Sequence, residues 1–343
     1  MIEFRSLSLE EIENYIVQKG EKKFRAKQLF KWIHRGIESF DEMTDISLNL
    51  REKLKNDGYI GNMKIEGKQT SKVDGTVKYV MSLLDGNIIE CVLMKYSYGN
   101  SICISTQAGC SMGCSFCAST IGGKNRDLTA GEMLGQILIV EKDSKCKISN
   151  IVLMGAGEPL DNFENVIKFL RLVNHPEGIN IGMRHITLST CGLVPEIKRL
   201  ADLNMQITLA ISLHAPNDEI RRSIMPIARK YSIDDLLDVC RYYINKTNRR
   251  ITFEYSLIDG VNDSDDNAKE LSQRLKGLLC HVNLIPINKV RERKFEKSTS
   301  DRVEAFKKIL VNNGIETTVR RELGSDIDAA CGQLRRKYIE KLQ

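Results

Sequence analysis

The sequence predicts an α/β fold of six strand–helix units with a small helical domain in front of it. Three observations carry this. Six short apolar segments recur from residue 101 onward, each followed by a stretch with helical spacing. The first sixty residues read as helices. The length, 343 residues, exceeds one small core and suits a large domain of roughly 200–250 residues plus an appendage.

At the N-terminus, Leu9, Ile12 and Ile16 fall on one helical face. A second helix runs through residues 24–36, with Phe24, Leu29, Phe30 and Ile33, and ends near Gly36. A third covers 47–58 and stops at Gly58. Residues 62–97 change character: VKYVMSLL and NIIECVLMKY favour strands, with Asp-Gly turns at 74–75 and 85–86. They are expected to form a hairpin leading into the main body. Strands follow at 101–107, 150–157, 185–192, 207–214, 250–258 and 281–288. Helices are expected between them at 130–142, 162–174, 194–203, 232–246 and 264–276. A last helix at 301–313 leads to a strand at 315–321. Each parallel return needs a crossover helix. Six such units make either an open doubly wound sheet or a partial barrel. The expected divisions are 1–60, 61–95, 96–325 and 326–343.

Composition narrows the function. With 42% hydrophobic and 28% charged residues, disorder and fibrous architectures are excluded. No apolar run approaches the roughly 18 residues that span a bilayer. The first twenty residues are acidic and helical in pattern rather than a signal peptide, so a cytoplasmic protein with no membrane partner is expected. The net charge of +6 matters only where it concentrates. Residues 289–297 hold five basic and two acidic side chains, and Arg335, Arg336 and Lys337 form a second cluster. By charge alone these are either solvated surface or a phosphate-tracking patch.

Ten cysteines in a reducing compartment do not make a disulfide scaffold. Cys91, Cys146, Cys240 and Cys280 read as small buried hydrophobes. Cys110, Cys114 and Cys117 are different. Their x3–x2 spacing, in GCSMGCSFCAS, directly follows the first strand of the repeat. Three thiolates on one loop can ligate three irons of a cubane cluster, leaving the fourth iron open to a substrate. Structural zinc is the competing reading. It wants four protein ligands in two spaced pairs, and no fourth Cys or His lies near this loop in the sequence.

Further polar residues sit at predicted strand ends, where β/α barrels place their sites. Gly157 and Glu158 follow the second strand, with Pro159 next; backbone there could receive an ammonium group. Ser189 lies near the end of the third strand, Ser212 and His214 end the fourth, and Asn288 ends the sixth. Singly they read as a turn glycine, cap serines and a satisfied histidine. Gathered round one cysteine loop, they read as one pocket.

These segments resemble the RlmN/Cfr family of radical S-adenosylmethionine RNA methyltransferases over nearly the full chain. The motifs are CISTQAGCSMGCSFC (103–117), MGAGEPLDN (154–162), SLHAP (212–216), LIPIN (284–288) and GSDIDAACGQL (324–334). The resemblance implies a six-unit partial (β/α)6, TIM-like barrel with one 4Fe–4S cluster on Cys110, Cys114 and Cys117. It implies S-adenosylmethionine bound by Gly157, Glu158, Ser189, Ser212, Leu213, His214 and Asn288, two molecules per turnover. One methylates Cys331. The other is cleaved to a 5′-deoxyadenosyl radical, which takes a hydrogen from the S-methyl group, and the resulting carbon radical adds to adenine. Cys103 then resolves the adduct through a transient disulfide with Cys331. Glu90 matches the proposed proton acceptor, with Cys103 its rival; Glu90 alone reads as a polar residue on a half-exposed strand. The implied partners are 23S rRNA at adenosine 2503, tRNA at adenosine 37 and an electron donor such as flavodoxin, acting on a monomer. Both basic clusters would then hold phosphates.

The chemistry agrees with such a route. The C2 carbon of adenine is no nucleophile, so a polar methyl transfer has no electron pair to use; radical addition avoids that barrier. Thiolate attack on a sulfur-linked adduct is ordinary disulfide chemistry. Two alternatives remain at this level. One is methylation at C8, against which Gly157-Glu158-Pro159 stands as the C2 pattern. The other is a non-catalytic RNA-binding protein with a metal-stabilised loop. Ala156, where methionine is common in the family, is expected to pack rather than react.

Overall fold

The computed structural model describes residues 1–61, 63–287 and 293–327. Asn288, Cys331, the 335–337 cluster and residues 289–292 of the first basic segment lie outside them.

The chain opens with β1 (Ile2–Glu3), α1 (Leu9–Gln18), α2 (Phe24–His34), α3 (Leu48–Asp57) and β2 (Gly58–Tyr59), which pairs with β1. Then come β3 (Lys64–Thr70), β4 (Val77–Ser82), β5 (Ile88–Tyr96) and β6 (Gly99–Cys103). A small antiparallel pair, β7 (Gln107–Gly109) and β8 (Lys124–Asp127), brackets the cysteine loop. The repeat continues as α4 (Ala130–Ser144), β9 (Ile148–Leu153), α5 (Phe163–Asn174), β10 (Ile186–Thr190), α6 (Val194–Asp202) and β11 (Thr208–Ser212). It ends with α7 (Asp218–Ile224), α8 (Ile233–Thr247), β12 (Ile251–Leu257), α9 (Asp265–Leu275), β13 (Cys280–Pro286), α10 (Ser300–Asn312) and β14 (Thr317–Val319).

Ten strands form one sheet in the order β14-β13-β12-β11-β10-β9-β6-β5-β4-β3. From β6 to β14 every neighbouring pair is parallel. All six expected strands are present in sequence order, each followed by a helix. Helix starts follow their caps. Ser8, Thr129, Ser232 and Ser264 each accept from the N3 amide, and the N3 side chain answers the cap amide.

Several expectations change. The 62–97 hairpin is part of the main sheet, because β3, β4, β5 and β6 pair antiparallel in series. β3 was not expected: its alternating exposed residues make a polar edge, which hides a strand from an apolar search. The strands expected at 150–157 and 207–214 end at Leu153 and Ser212, and the residues beyond them are loop.

Cross-strand register assigns the two faces of the sheet. Directly paired residues share a face. One row runs Lys78–Val92–Cys103–Val152–Thr187–Thr208 from β4 to β11. Alternation along each strand adds Glu90, Ser189, Ser212, Glu254 and Asn283 to that face. The opposite parity is apolar: Met81, Leu93, Ile102, Ile151, Leu188, Leu209, Phe253 and Val282 are buried in one continuous core. One face is thus given to packing and the other to polar groups.

Candidate active site

The cysteine loop is tied down at several points. Cys110 N–H donates to the Gly123 carbonyl at 3.0 Å, closing the loop at the β7–β8 pair. Ser115 donates from both its N–H and its hydroxyl to the Ile224 carbonyl, at 2.9 and 3.1 Å, so the end of α7 clamps the loop's middle. Thr120 Oγ1 donates to the Cys117 carbonyl at 2.9 Å. Arg293 Nη2 reaches the same carbonyl at 3.3 Å and Thr120 Oγ1 at 3.1 Å. The 289–297 segment was expected to face phosphate. In its described part Arg293 points at the cysteine loop, Lys297 pairs with Glu322 at 2.9 Å, and Lys294 is exposed.

Cys110, Cys114 and Cys117 line a cavity of ≈ 270 Å³ with Gly157, Glu158, Ser189, Ser212 and His214. Burial pushes the Cys110 thiol up to about 11, eased by the Met112 N–H, and the Cys114 thiol up to about 12. Each of these two also feels the negative charge of Cys117, so the three sulfurs face one another electrostatically. Among the described residues no three His, Cys, Asp or Glu side chains converge as a site for one ion. Three thiols on one loop facing a cavity suit a polynuclear iron–sulfur group, whose irons would draw off the thiol protons.

The strand-end residues are positioned by identifiable bonds. Gly157 has φ +106, and a Cβ there would stand 2.6 Å from Gln107 Cβ, so only glycine lets this loop cross β7. Glu158 accepts the N–H of Cys191 at 2.7 Å and of Leu160 at 3.0 Å. Burial raises its carboxyl, and these two amides pull the other way. Both its oxygens thus accept backbone amides while it borders the cavity. His214 adopts φ +56. Its Nδ1 accepts Ser256 N–H at 2.9 Å, and its ring meets Phe116 edge-on with centroids 5.0 Å apart. Burial, then the charge of Arg221, holds its pKa down at about 3, so the imidazole is neutral with its remaining proton on Nε2. Leu213 places its side chain in the core, so only its backbone is left to face a ligand. Its carbonyl accepts Arg221 Nε at 3.2 Å.

Cys103 and Glu90 are not in that cavity's lining but share its sheet face by register. Glu90 is buried rather than half-exposed, and its Oε2 lies 3.3 Å from Lys78 Nζ, itself fully buried. Ala156 is buried, and its carbonyl accepts the N–H of Thr106 and of Gln107, so it packs. No disulfide joins the nine cysteines among the described residues.

Four residues of the site were missed in the sequence. Lys78 partners Glu90. Glu254 lines the cavity, its carboxyl raised by burial against the pull of Arg320. Arg320 borders the cavity beyond β14. Arg221, fully buried, donates to the carbonyls of Cys191 (2.7 Å) and Leu213, stapling the ends of β10 and β11. Lys78 and Glu254 left a signal, a lone charge inside an apolar strand run.

A three-cysteine loop set against the carboxyl ends of a parallel sheet defines a radical S-adenosylmethionine protein. A family model described as the radical SAM superfamily matches residues 104–271, and one described as the ribosomal RNA large subunit methyltransferase N-terminal domain matches residues 2–60. The chain belongs to the RlmN family. It is 59% identical to a protein of Alkaliphilus oremlandii over 99% of both chains, and 58% identical to one of Clostridium novyi over 97% of this chain and 98% of the other. Each is named "Probable dual-specificity RNA methyltransferase RlmN". The crystal structure of a radical SAM methyltransferase from Sphaerobacter thermophilus superposes with a TM-score of 0.93 at 43% identity, covering 97% of this chain and 99% of that one.

Proposed function

We propose that this chain is a radical S-adenosylmethionine RNA methyltransferase that methylates C2 of adenosine 2503 in 23S rRNA and C2 of adenosine 37 in tRNA. The observation that carries the reading is the shared sheet face. The cysteine-lined cavity, Cys103 and Glu90 all lie on it, in a chain 59% identical to a protein named for dual-specificity RNA methylation. C2 rather than C8 rests on Gly157-Glu158-Pro159.

The lining of the cavity also supports the partial six-unit barrel. Leu153, Ser189, Ser212, Glu254, Ile285 and Arg320, from six successive strands or their ends, line one cavity. Across a flat sheet these strands would span roughly 24 Å at about 4.8 Å each, too wide for one small cavity. A curled sheet accounts for the shared lining.

In this reading a 4Fe–4S cluster on Cys110, Cys114 and Cys117 and bound S-adenosylmethionine supply the 5′-deoxyadenosyl radical. The chain supplies the rest. Backbone at Gly157–Pro159, with Ser189, Ser212 and His214, orients the sulfonium ligand, and Asn288 closes the set. Neutral His214 offers a donor at Nε2 without adding positive charge beside a cationic ligand. Cys331 carries the methyl group. Cys103, at the end of β6, resolves the adduct by a disulfide that exists only during turnover. Buried Glu90, set by Lys78, takes the proton. We read residues 1–60 as an accessory RNA-facing domain, 61–95 as the sheet extension carrying Glu90, 96–325 as the catalytic body and 326–343 as the methyl-carrier segment. A cytoplasmic monomer fed by a flavodoxin-like donor completes the reading.

The test is anaerobic reconstitution with iron and sulfide, then turnover on transcribed RNA. The expected results are a brown protein, 5′-deoxyadenosine and a nucleoside that coelutes with 2-methyladenosine. Coelution with 8-methyladenosine would overturn the C2 assignment. A colourless zinc protein without 5′-deoxyadenosine would overturn the radical reading. Cys331→Ala should retain the cluster and lose methylation, and Cys103→Ala should accumulate a protein–RNA crosslink. Affinity for RNA should fall steeply with salt as phosphate contacts release counterions.

A further inference from the structure

The sheet face that holds the cavity also carries an aromatic pair that the proposed reaction does not use. β5 ends at Tyr96, and the chain turns through Ser97 and Tyr98 before β6. The rings of Tyr96 and Tyr98 stack, with centroids 4.8 Å apart and planes 11° from parallel. Tyr98 is 70% exposed, so the stack shields one side of its ring and leaves the other to water. The turn is held in place by Gly99. Its φ is +134, and a Cβ there would stand 2.2 Å from Ser149 Oγ.

Alternation along β5 puts Tyr96 on the face of Glu90, Val92 and Met94, the face the cavity occupies. Arg320 joins the two places. It lines the cavity, and the chain just after it is fastened beside the end of β5: Gly324 N–H donates to Asp74 Oδ2 at 2.8 Å, and a Cβ on the adjoining Gly75 would lie 3.8 Å from Lys95 Cδ, next to Tyr96. Both arginines are exposed. An aromatic stack with one open face, beside two exposed guanidinium groups, matches an unpaired nucleotide: a π-face for the base and cations for its phosphates. A protein partner's apolar patch would be out of place among those charges.

We propose that Tyr96, Tyr98, Arg320 and Arg321 form a stacking subsite for an unpaired nucleotide of the RNA substrate other than the methylated adenosine. The inference rests on the RNA methyltransferase reading. A base that leaves its stack strips its neighbours of a partner, and an aromatic platform on the cavity's side of the sheet replaces that contact.

The test measures fluorescence-anisotropy affinity of the full reconstituted chain for an RNA stem-loop bearing the target adenosine, and for a fully paired duplex of the same length. Tyr98→Ala should weaken stem-loop binding about fivefold or more and leave duplex binding unchanged. Tyr98→Phe, which keeps the ring, should bind as wild type. Arg321→Ala should lower the salt slope by about one phosphate contact. The subsite is overturned if Tyr98→Ala binds the stem-loop as wild type does, or if Tyr98→Phe loses as much as Tyr98→Ala. Wild type that methylates RNA while Tyr98→Ala matches it removes the subsite alone. Wild type that neither binds nor methylates RNA removes the methyltransferase reading and the subsite with it.

Discussion

At the scale of single residues, Lys78 and Glu90 form a buried ion pair in the site. Two charges have been taken out of water and set 3.3 Å apart. Such pairs gain little over well-packed apolar replacements, but breaking one strands a buried charge. Lys78→Met should therefore destabilise the fold by about 3–5 kcal/mol in urea unfolding. Adding Glu90→Gln to Lys78→Met should recover part of that loss, because no buried carboxylate is then left to miss Lys78. A double variant as unstable as the sum of the two singles would show that the pair is not coupled. Structure that exists for chemistry rather than stability is what such a pair represents, and the proton-accepting role proposed for Glu90 gives it a reason. Glu90 was named from the sequence; Lys78 was missed, although it is a lone charge in the apolar run of β4. What alternation alone could not say was that they meet, since β4 and β5 could have paired in another register.

At the scale of elements, the chain after β14 crosses the sheet's edge and fastens to the β3–β4 turn. Gly324 N–H donates to Asp74 Oδ2 at 2.8 Å, and Asp326 accepts Ser71 Oγ at 2.6 Å and Lys72 N–H at 2.8 Å. Burial alone would raise the Asp74 carboxyl, but the Gly324 and Thr76 amides outweigh it and hold the pKa down at about 2. The folded value lies below the unfolded value of about 3.9, so the fastening is fully present above pH 4 and lost as pH falls toward 2. Pepsin cleavage within 320–327 should rise across that window in the wild type. In Asp74→Asn the step should shrink, leaving the share of Asp326, which Ser71 and the Lys72 amide also hold below its ordinary value. A wild-type step at neutral pH would mean another group controls the strap. The strap was illegible in sequence because it depends on backbone amides meeting side chains some 250 positions away. The strands and helices of the repeat were legible for the opposite reason. Their signals are local: apolar runs, serine and threonine caps, and glycine stops. Their ends were overestimated at 154–157 and 213–214, where residues needed for the cavity continue the apolar run after the ladder has stopped.

At the scale of the whole molecule, the N-terminal helices were read from sequence as a separate small domain, and their existence was clear from periodicity. Their independence was not something periodicity could report, because an apolar stripe does not say what it packs against. Phe4, Ile12, Ile16, Phe30 and Leu50 belong to the same continuous buried cluster as Leu134, Leu188, Phe253 and Leu310 of the strand–helix repeat. Polar contacts cross the same boundary. Thr129 Oγ1 donates to Glu3 at 2.7 Å, Gly131 N–H donates to Ser6 Oγ at 2.8 Å, and Arg5 is buried. Separating the helices would expose that apolar surface at about 25 cal/mol per Å² and leave buried polar groups without partners. A domain held only by a hydrated interface would melt on its own; one that shares a core should not. Calorimetry of the intact chain should therefore show one transition, with helical signal from residues 1–60 and signal from the sheet lost together. Two resolved transitions would mean that the shared core contributes little and that residues 1–60 move as a separate arm when RNA binds.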